Sequence, residues 1–415
     1  MKKGRISIIT AVFLAIAAAL VAANITLVWS LRYYDSKLSA VPEKEKLYSK
    51  LSLIADIFDS QYVGDADWDQ MMEGALYGYV YGSGDRYATY INAEDYKRFV
   101  SDASGELIGI GINSVFDADR QMIRIIDVFK DSPASGVGIM TGDYICRVEG
   151  QDVAELGYYE TVDRILGQEG TEVNLTVLRG EEELDFSITR AVVQIDPVSS
   201  HVIGGCVGYV KISDFNSKTF SQFQTAVDAL AADSGIKGII FDVRNNSGGS
   251  VDSIVKTLDY LMGEGTIVTM KNKAGEETVY SSDAKEIDIP MEVLVNENTV
   301  SAAELFAAAL QDSGKADVVG TQTFGKGTEV VIVPLNDGTA VSFSDRYYYT
   351  PSGKNLELRG VTPDIAAELE IPENKTIYEL TDDEDTQLQA ALGVLAGKTG
   401  IDMSVFSGSE EAQPD

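Results

Sequence analysis

Between residues 191 and 370 the chain alternates strand-like runs with longer helical runs, and this alternation limits its fold more than any other feature. The helical runs occupy residues 217–232, 250–262 and 301–312. Strands that alternate with helices are typical of an α/β fold, in which helices cover the faces of a sheet. We therefore expect a layered α/β core over residues 191–370.

Other kinds of segment flank this core. Residues 44–98 carry apolar residues at helical spacing and predict a helical N-terminal segment, preceded by a polar stalk at 30–43. The following stretch, 99–190, predicts a β-rich module with two short helices and with strands at 107–112, 122–127, 144–148, 173–178 and 184–188. After the core we expect a helical segment at 371–406 and a disordered tail at 407–415.

The N-terminus predicts a membrane anchor. Lys2, Lys3 and Arg5 precede an uncharged run that extends from Ile6 to Trp29. The run is longer than the apolar part of a typical secretory signal and long enough to span a bilayer. Because positive flanks stay in the cytoplasm, we expect residues 1–29 to be a transmembrane signal anchor with the rest of the chain outside. Cleavage within the run, which would release a secreted protein, remains the alternative.

The composition excludes several classes of function. The chain has 415 residues with a net charge of −32, and this acidity disfavours binding to nucleic acid. With one histidine and two cysteines, it offers no ligand set for a metal cluster. We expect no metal and no cofactor.

Ser301 and Lys326 are the candidate catalytic residues. A serine hydroxyl becomes a good nucleophile only when a base takes its proton. Lysine serves as that base where burial lowers its pKa from about 10.4, and a serine–lysine pair needs no histidine. Ser301-Ala-Ala-Glu304 is also a capping box, a motif that many ordinary helices use. Lys326 alone would be read as a solvated loop residue.

A turn with two glycines is the third candidate element. Asp242-Val-Arg-Asn-Asn-Ser-Gly-Gly249 follows an apolar strand-like run and precedes a helical one. Paired glycines at such a turn can point backbone N–H groups at an anion. An ordinary strand-to-helix turn is an equally good interpretation of this stretch alone.

Taken together and in this order, these blocks resemble those of the carboxyl-terminal processing peptidases, also called tail-specific proteases. The resemblance extends from about residue 44 to residue 395. The family's nucleophile block matches residues 296–304, its lysine block matches Gly320-Thr-Gln-Thr-Phe-Gly-Lys-Gly327, and its glycine turn matches residues 242–249. Residues 349–353 and 360–364 fit two further blocks of the family.

The resemblance implies a fold and an activity. Residues 191–370 would be a serine protease core with crotonase-like layers, in which Ser301 is the nucleophile and Lys326 the base. The backbone N–H groups of Gly248, Gly249 and Ala302 would form the oxyanion hole. The protein would be a serine endopeptidase that cleaves near the C-terminal tails of protein substrates.

The β-rich module at 99–190 would be an inserted PDZ domain that binds those tails. A PDZ domain adds a peptide as a strand to its sheet edge, while loop N–H groups hold the terminal carboxylate. By this resemblance, the peptide-binding residues would be Leu107, Ile108, Gly109, Ile110, Gly111 and Ile112. The expected partners are proteins or peptides with free C-termini, and homo-oligomerisation is left open.

The sequence departs from the family at one position. The family commonly carries a glutamine four residues after the lysine, where it orients that lysine, and here the residue is Val330. Glu304 lies one helical turn beyond Ser301, so we consider it as an alternative orienting residue. The same departure keeps a second hypothesis open, that of a catalytically weak or inactive PDZ-containing scaffold protein.

Overall fold

The structure is a computed structural model that describes Thr26 and residues 41–103, 106–117, 120–194, 196–372 and 375–406. Within those ranges, no helix combines the length and the apolar composition that crossing a membrane requires. The expected anchor at residues 1–29, apart from Thr26, and the expected tail at 407–415 lie outside the described residues. So does the stalk up to residue 40.

Residues up to Gly78 and residues from Tyr79 onward form two compact units. The first unit contains α1 (Val41–Gln61) and most of α2 (Trp68–Tyr81). Helix α1 therefore begins within the expected stalk. Many apolar side chains of these helices are exposed, among them Tyr48, Leu53 and Met72.

Beyond α2, the segment 44–98 is not helical throughout as predicted. Thr89–Ile91 forms a strand, β1, and only then does α3 (Ala93–Ala103) follow, crossing the expected boundary at residue 99. These three residues have high strand propensity, and β1 pairs antiparallel with the strand that ends at Tyr349. Three residues are too few to show a periodic pattern in the sequence. Pairing with a distant strand therefore decides the conformation of this segment.

The β-rich module contains a meandering antiparallel sheet and a separate two-stranded ribbon. Its elements in chain order are β2 (Glu106–Gly109), β3 (Ile112–Asp117), β4 (Met122–Val128), α4 (Pro133–Val137), β5 (Tyr144–Val148), β6 (Gln151–Asp152), α5 (Val153–Ile165), β7 (Glu172–Arg179), β8 (Glu182–Thr189) and β9 (Ala191–Gln194). The sheet has the order β3-β4-β5-β7-β8, with β6 paired to β5, and the ribbon joins β2 to β9.

The expected strand 107–112 is interrupted. It spans the end of β2, a break at Ile110–Gly111 and the first residue of β3. Gly111 has φ 79°, and a Cβ there would lie 2.3 Å from Ser132 Cβ, so only glycine fits. The break sends β2 to the ribbon and β3 to the edge of the sheet.

The core has a central six-stranded sheet, and the expected α/β alternation is present. The elements of this part of the chain are β10 (Val198–Ile203), β11 (Val207–Ile212), α6 (Thr219–Ala232), β12 (Gly238–Asp242), α7 (Val251–Leu261), β13 (Gly265–Asn272), β14 (Glu277–Ser282), β15 (Met291–Val295), α8 (Ala302–Asp312), β16 (Ala316–Gly320), β17 (Thr328–Pro334), β18 (Ala340–Tyr349), β19 (Ile365–Ala366) and α9 (Thr386–Thr399). The central sheet has the order β10-β11-β12-β15-β16-β19, and every pair except β10–β11 is parallel.

Helices cover both faces of this sheet, so its inner strands are buried throughout. In β12, Ile239 and Phe241 pack with α6, α7 and α8, whereas Ile240 on the opposite face packs against α9. Each such side chain contributes about 1.5–3 kcal/mol when it is fully buried. A second sheet, built from β1, β13, β14, β17 and β18, adds Val268, Met270 and Tyr348 to the first of these cores. The finer expectation of crotonase-like layers stays a prediction.

Candidate active site

Three loops that carry the candidate residues meet at one edge of the central sheet. β12, β15 and β16 are neighbouring parallel strands, so their carboxyl ends lie side by side. The glycine turn follows β12, Ser301 follows β15, and Lys326 follows β16. Open α/β sheets place their ligand sites at this edge.

Ser301 has a strained backbone. Its φ of 59° and ψ of −118° lie in a region that L-residues rarely adopt, at a cost of about 1–3 kcal/mol. The residue stands at the N-terminus of α8, and its N–H donates to Glu304 Oε2 at 2.8 Å. A Cβ on Gly248 would lie 2.9 Å from Ser301 Cβ, so the glycine turn packs directly against the serine. Strain of this kind is common at nucleophiles.

Lys326 is half-buried, beside the ring of Tyr87. Its Nζ lies 5.0 Å from the ring centroid, and no hydrogen-bond acceptor for Nζ is found among the described residues. Burial lowers the pKa of the Lys326 ammonium, while the carboxylates of Glu357, Glu304 and Asp85 act in the opposite direction. The net lowering is the direction that a lysine base requires.

Ser301 and Lys326 line the same cavity, which has a volume of about 720 Å³. Tyr348 lies beside both: its hydroxyl donates to the carbonyl oxygen of Lys326, and burial raises the pKa of the phenol, although Ser301 is near enough to act in the opposite direction. Tyr348 is 3% exposed. No sequence signal singles it out, because it stands within a run of three tyrosines.

Apolar side chains dominate the wall of this cavity, and they include Phe215, Val251, Ile254, Val268, Met270 and Leu305. Two carboxyl groups, those of Asp214 and Glu329, also face it, and burial raises the pKa of both. The size and character of the wall suit one or more side chains of an extended polypeptide.

Glu304 joins the serine loop to the lysine loop. Its side chain is fully buried, and besides the Ser301 N–H it accepts the N–H groups of Gly325 and Lys326 and the hydroxyl of Thr323, at 2.6–2.8 Å. Burial raises the pKa of this carboxyl, against the effect of these four donors. Glu304 therefore fixes Lys326 through its backbone, and the structure has no hydrogen bond from it to the ammonium.

The glycine turn offers one free N–H instead of two. The Gly248 N–H donates to Asn246 Oδ1 at 2.8 Å, so the expectation that Gly248 is an oxyanion donor needs correction. Among the described residues, no acceptor is found for the N–H of Gly249 or for that of Ala302. Gly249 is exposed and has φ 133°, and a Cβ there would lie 2.3 Å from the carbonyl oxygen of Phe215.

Val330 provides no polar atom to the lysine. A β-bulge separates Glu329 from Val330 in the pairing with β18, and both side chains line the cavity. Glu329 lies 3.7 Å from the guanidinium of Arg346, and Arg346 and Asp345 are the charged groups that act on its pKa. Neither residue thus takes the place of the family's glutamine.

The predicted peptide-binding residues lie where β2 passes into β3. In the described part of the chain, β3 pairs with β4 on one side only, so its other edge is open. Phe116 on β3 and Tyr158 on α5 face each other, with ring centroids 6.5 Å apart. Both rings pack on the core of the module, and nothing is described of the Leu107 side chain.

Family models match both parts of this architecture. A model described as peptidase family S41 matches residues 206–367, and a model described as a PDZ domain matches residues 107–189. The second range is narrower than the expected 99–190, since α3 occupies the first residues of that span.

Named relatives resemble most of the chain. A carboxy-terminal-processing protease from Bartonella bacilliformis is 33% identical over 350 residues, which cover 81% of this chain and 80% of the relative. A Staphylococcus aureus protein named "Probable CtpA-like serine protease" is 31% identical over 413 residues, covering 96% and 82%. The fold resembles that of an S41 protease structure from Bacteroides fragilis, with a TM-score of 0.56 and 16% identity over 81% of this chain and 93% of the other.

Proposed function

This chain belongs to peptidase family S41 as a carboxyl-terminal processing serine peptidase, and from that premise we propose that Ser301 and Lys326 are its catalytic dyad. The observation that carries the proposal is the convergence of a strained serine, a half-buried lysine and two unpartnered N–H groups on one cavity. Acyl transfer needs a nucleophile, a base and donors for the oxyanion, and these three elements occupy neighbouring loops at one edge of the sheet.

In this mechanism Lys326 first accepts a proton from Ser301 and then donates it to the leaving group. Neutral Lys326 Nζ takes the proton of the Ser301 hydroxyl as Oγ attacks the scissile carbonyl carbon. The N–H groups of Gly249 and Ala302 stabilise the negative oxygen of the tetrahedral intermediate. Collapse of that intermediate breaks the C–N bond, and the ammonium returns its proton to the leaving amine. Water, deprotonated by the same lysine, then hydrolyses the acyl-enzyme.

The PDZ domain delivers the substrate in this proposal. A C-terminal tail adds as a strand to the open edge of β3, and backbone N–H groups near Gly111 hold its carboxylate. Phe116, near the far end of β3, and Tyr158 would contact side chains that precede the last residues of the tail. Substrates are accordingly proteins with accessible, extended C-termini.

We also propose that the enzyme works outside the cytoplasm, anchored by residues 1–29. Support comes from the sequence alone: the cationic residues before Ile6, and the uncharged run to Trp29. Fractionation of cells that express the full chain, with and without high-salt and detergent washes, tests the anchor.

The dyad is tested by proteolysis of an unfolded model protein with a free C-terminus. Wild type, Ser301→Ala and Lys326→Ala are compared from about pH 6 to about pH 10. We expect cleavage by wild type alone, rising with pH as the lysine deprotonates. Equal cleavage by Ser301→Ala would refute the dyad. Tail binding by wild type without any cleavage would instead favour the scaffold hypothesis.

A further inference from the structure

A second loop packs against the turn that carries the lysine. We call residues 355–360 the bracing loop. The Leu358 N–H donates to the carbonyl oxygen of Gly325 at 2.9 Å, and Asn355 Nδ2 donates to that of Gly327 at 3.3 Å. A Cβ on Gly327 would lie 2.1 Å from Glu357 N. The two backbones are in such close contact that the position of the bracing loop determines the position of Lys326.

Glu357, in the bracing loop, contacts two neighbours of the lysine. Its Oε2 accepts the Gly327 N–H at 2.8 Å, and its Oε1 accepts the hydroxyl of Tyr87 at 3.4 Å. The face of the same Tyr87 ring lies 5.0 Å from Lys326 Nζ. The carboxylate, the phenol and the ammonium thus form one contiguous cluster.

Three carboxylates act on Lys326, and they differ in how many hydrogen bonds they accept from other groups. Glu304 accepts four hydrogen bonds. Asp85 accepts three, from the Ser344 N–H and hydroxyl and from the Tyr87 N–H, at 2.6–3.0 Å. Glu357 accepts one short and one long bond, and it has the largest effect of the three on the pKa of Lys326.

Two other polar side chains adjoin this cluster, those of Arg86 and Tyr348. The Arg86 guanidinium carbon lies 5.3 Å from the Tyr87 ring centroid, and the residue is exposed. The Tyr348 phenol is occupied by the carbonyl oxygen of Lys326. Val330, at the position of the family's glutamine, adds only an apolar wall.

We propose that Glu357 is the residue that positions Lys326, in the role that the glutamine four residues after the lysine has in related peptidases. The inference rests on the proposed dyad. The carboxylate draws the lysine side chain to one side of the cavity and stabilises the ammonium that forms when Ser301 loses its proton. Because Glu357 touches neither substrate nor reacting atom, it acts through Lys326.

The first test compares Glu357→Gln with wild type in the pH dependence of kcat/KM. Glutamine keeps an acceptor for the Gly327 N–H and removes the charge. The midpoint of the rising limb should therefore move to lower pH, a change that a purely structural role would not produce. Glu357→Ala, which also loses the hydrogen bonds, should lower the high-pH plateau about 10- to 100-fold. Glu370→Gln, at an exposed glutamate outside the site, is the matched control and should leave the profile unchanged.

The second test needs no catalysis. In the Ser301→Ala background, the pH dependence of Lys326 acetylation by trace acetic anhydride, quantified by mass spectrometry, reports the titration of Nζ directly. Glu357→Gln should shift this titration to lower pH. An unshifted titration in folded protein would overturn the role of Glu357. A shifted titration, together with a wild-type enzyme that cleaves nothing at any pH, would leave Glu357 in place and reject the dyad instead.

Discussion

Glu304 Oε2 accepts the backbone N–H of Lys326 at 2.8 Å, and thereby connects a helix N-terminus to a loop from the neighbouring strand. The same oxygen accepts the N–H of Ser301, so one buried atom sets the spacing of nucleophile and base. The geometry of the site thus depends on a side chain that performs no chemical step.

Replacing Glu304 should damage stability and activity together. Glu304→Ala leaves four donors without their acceptor in a buried site, and we expect a loss of about 3 kcal/mol or more in the free energy of unfolding. Glu304→Gln, which turns one acceptor into a donor facing other donors, should have an intermediate effect. Thermal unfolding and kcat/KM measure the two losses. A stable, active Ala variant would contradict this role.

Gly249→Ala should abolish most activity. The added Cβ would meet the carbonyl oxygen of Phe215 at 2.3 Å, so the turn must move and its N–H must leave the cavity. Loss of one oxyanion donor costs about 10²- to 10³-fold in kcat. The control is Gly393→Ala, since Gly393 lies in α9 with nothing within 4 Å of its added Cβ. That change should be neutral or slightly stabilising. Equal kcat in both variants would remove Gly249 from the oxyanion hole.

Glu292 should make stability fall as pH rises. It is fully buried on β15, 2.8 Å from Lys398 Nζ, and burial raises its pKa to about 7. The folded state therefore holds a proton that the unfolded state releases above about pH 4.5, and the unfolding free energy decreases between about pH 4.5 and about pH 7 by on the order of 3 kcal/mol.

Glu292→Gln stays neutral at every pH and isolates this contribution. The stability of wild type relative to this variant should be higher at about pH 5 than at about pH 8. Unfolding midpoints at the two pH values supply the comparison. If the stability difference between wild type and Glu292→Gln were the same at both pH values, Glu292 would not titrate in this window. The same result would follow if Lys398 and the neighbouring Asp317 compensated for the change in charge at Glu292.

Arg190 should be essential for the PDZ domain. Its buried guanidinium donates to the carbonyl oxygens of Arg164, Ile165 and Glu172 and to the Thr171 hydroxyl, at 2.6–2.9 Å. It thus closes the C-terminus of α5. Arg190→Met removes four hydrogen bonds from a buried guanidinium, one to a buried acceptor and three to partly buried ones, and should destabilise the module by about 2–3 kcal/mol.

Arg147 provides the control for that experiment. It forms ion pairs with Asp152 and Glu183 on the surface of the same module. Exposed ion pairs contribute about 0–1 kcal/mol to stability, so Arg147→Met should leave the stability of the module nearly unchanged. Hydrogen exchange of the module's amides separates the two variants, and similar protection in both would contradict the assigned role of Arg190.

Ser301 and Lys326 could be singled out in the sequence because each belongs to a local block, and the block of Ser301 follows a recognisable apolar strand. The α/β alternation then brings those blocks to one edge without further information. Glu357, Tyr87 and Tyr348 could not be predicted, because they reach the lysine from distant segments and no spacing links them to it. Their positions depend on tertiary contacts between those segments.

Two further differences have equally specific causes. The engagement of the Gly248 N–H depends on the rotamer of Asn246, which no motif encodes. The strand β1 is three residues long and gains its conformation from β18, so helical periodicity in its neighbours obscured it.

The β2–β9 ribbon brings the two ends of the PDZ domain side by side. Glu106 pairs with Gln194 and Gly109 with Ala191, so the chain enters and leaves the domain through adjacent strands about 5 Å apart. A two-residue hairpin turn closes such a gap. Excising or exchanging the PDZ domain at this single junction should therefore leave the strands of the protease core intact.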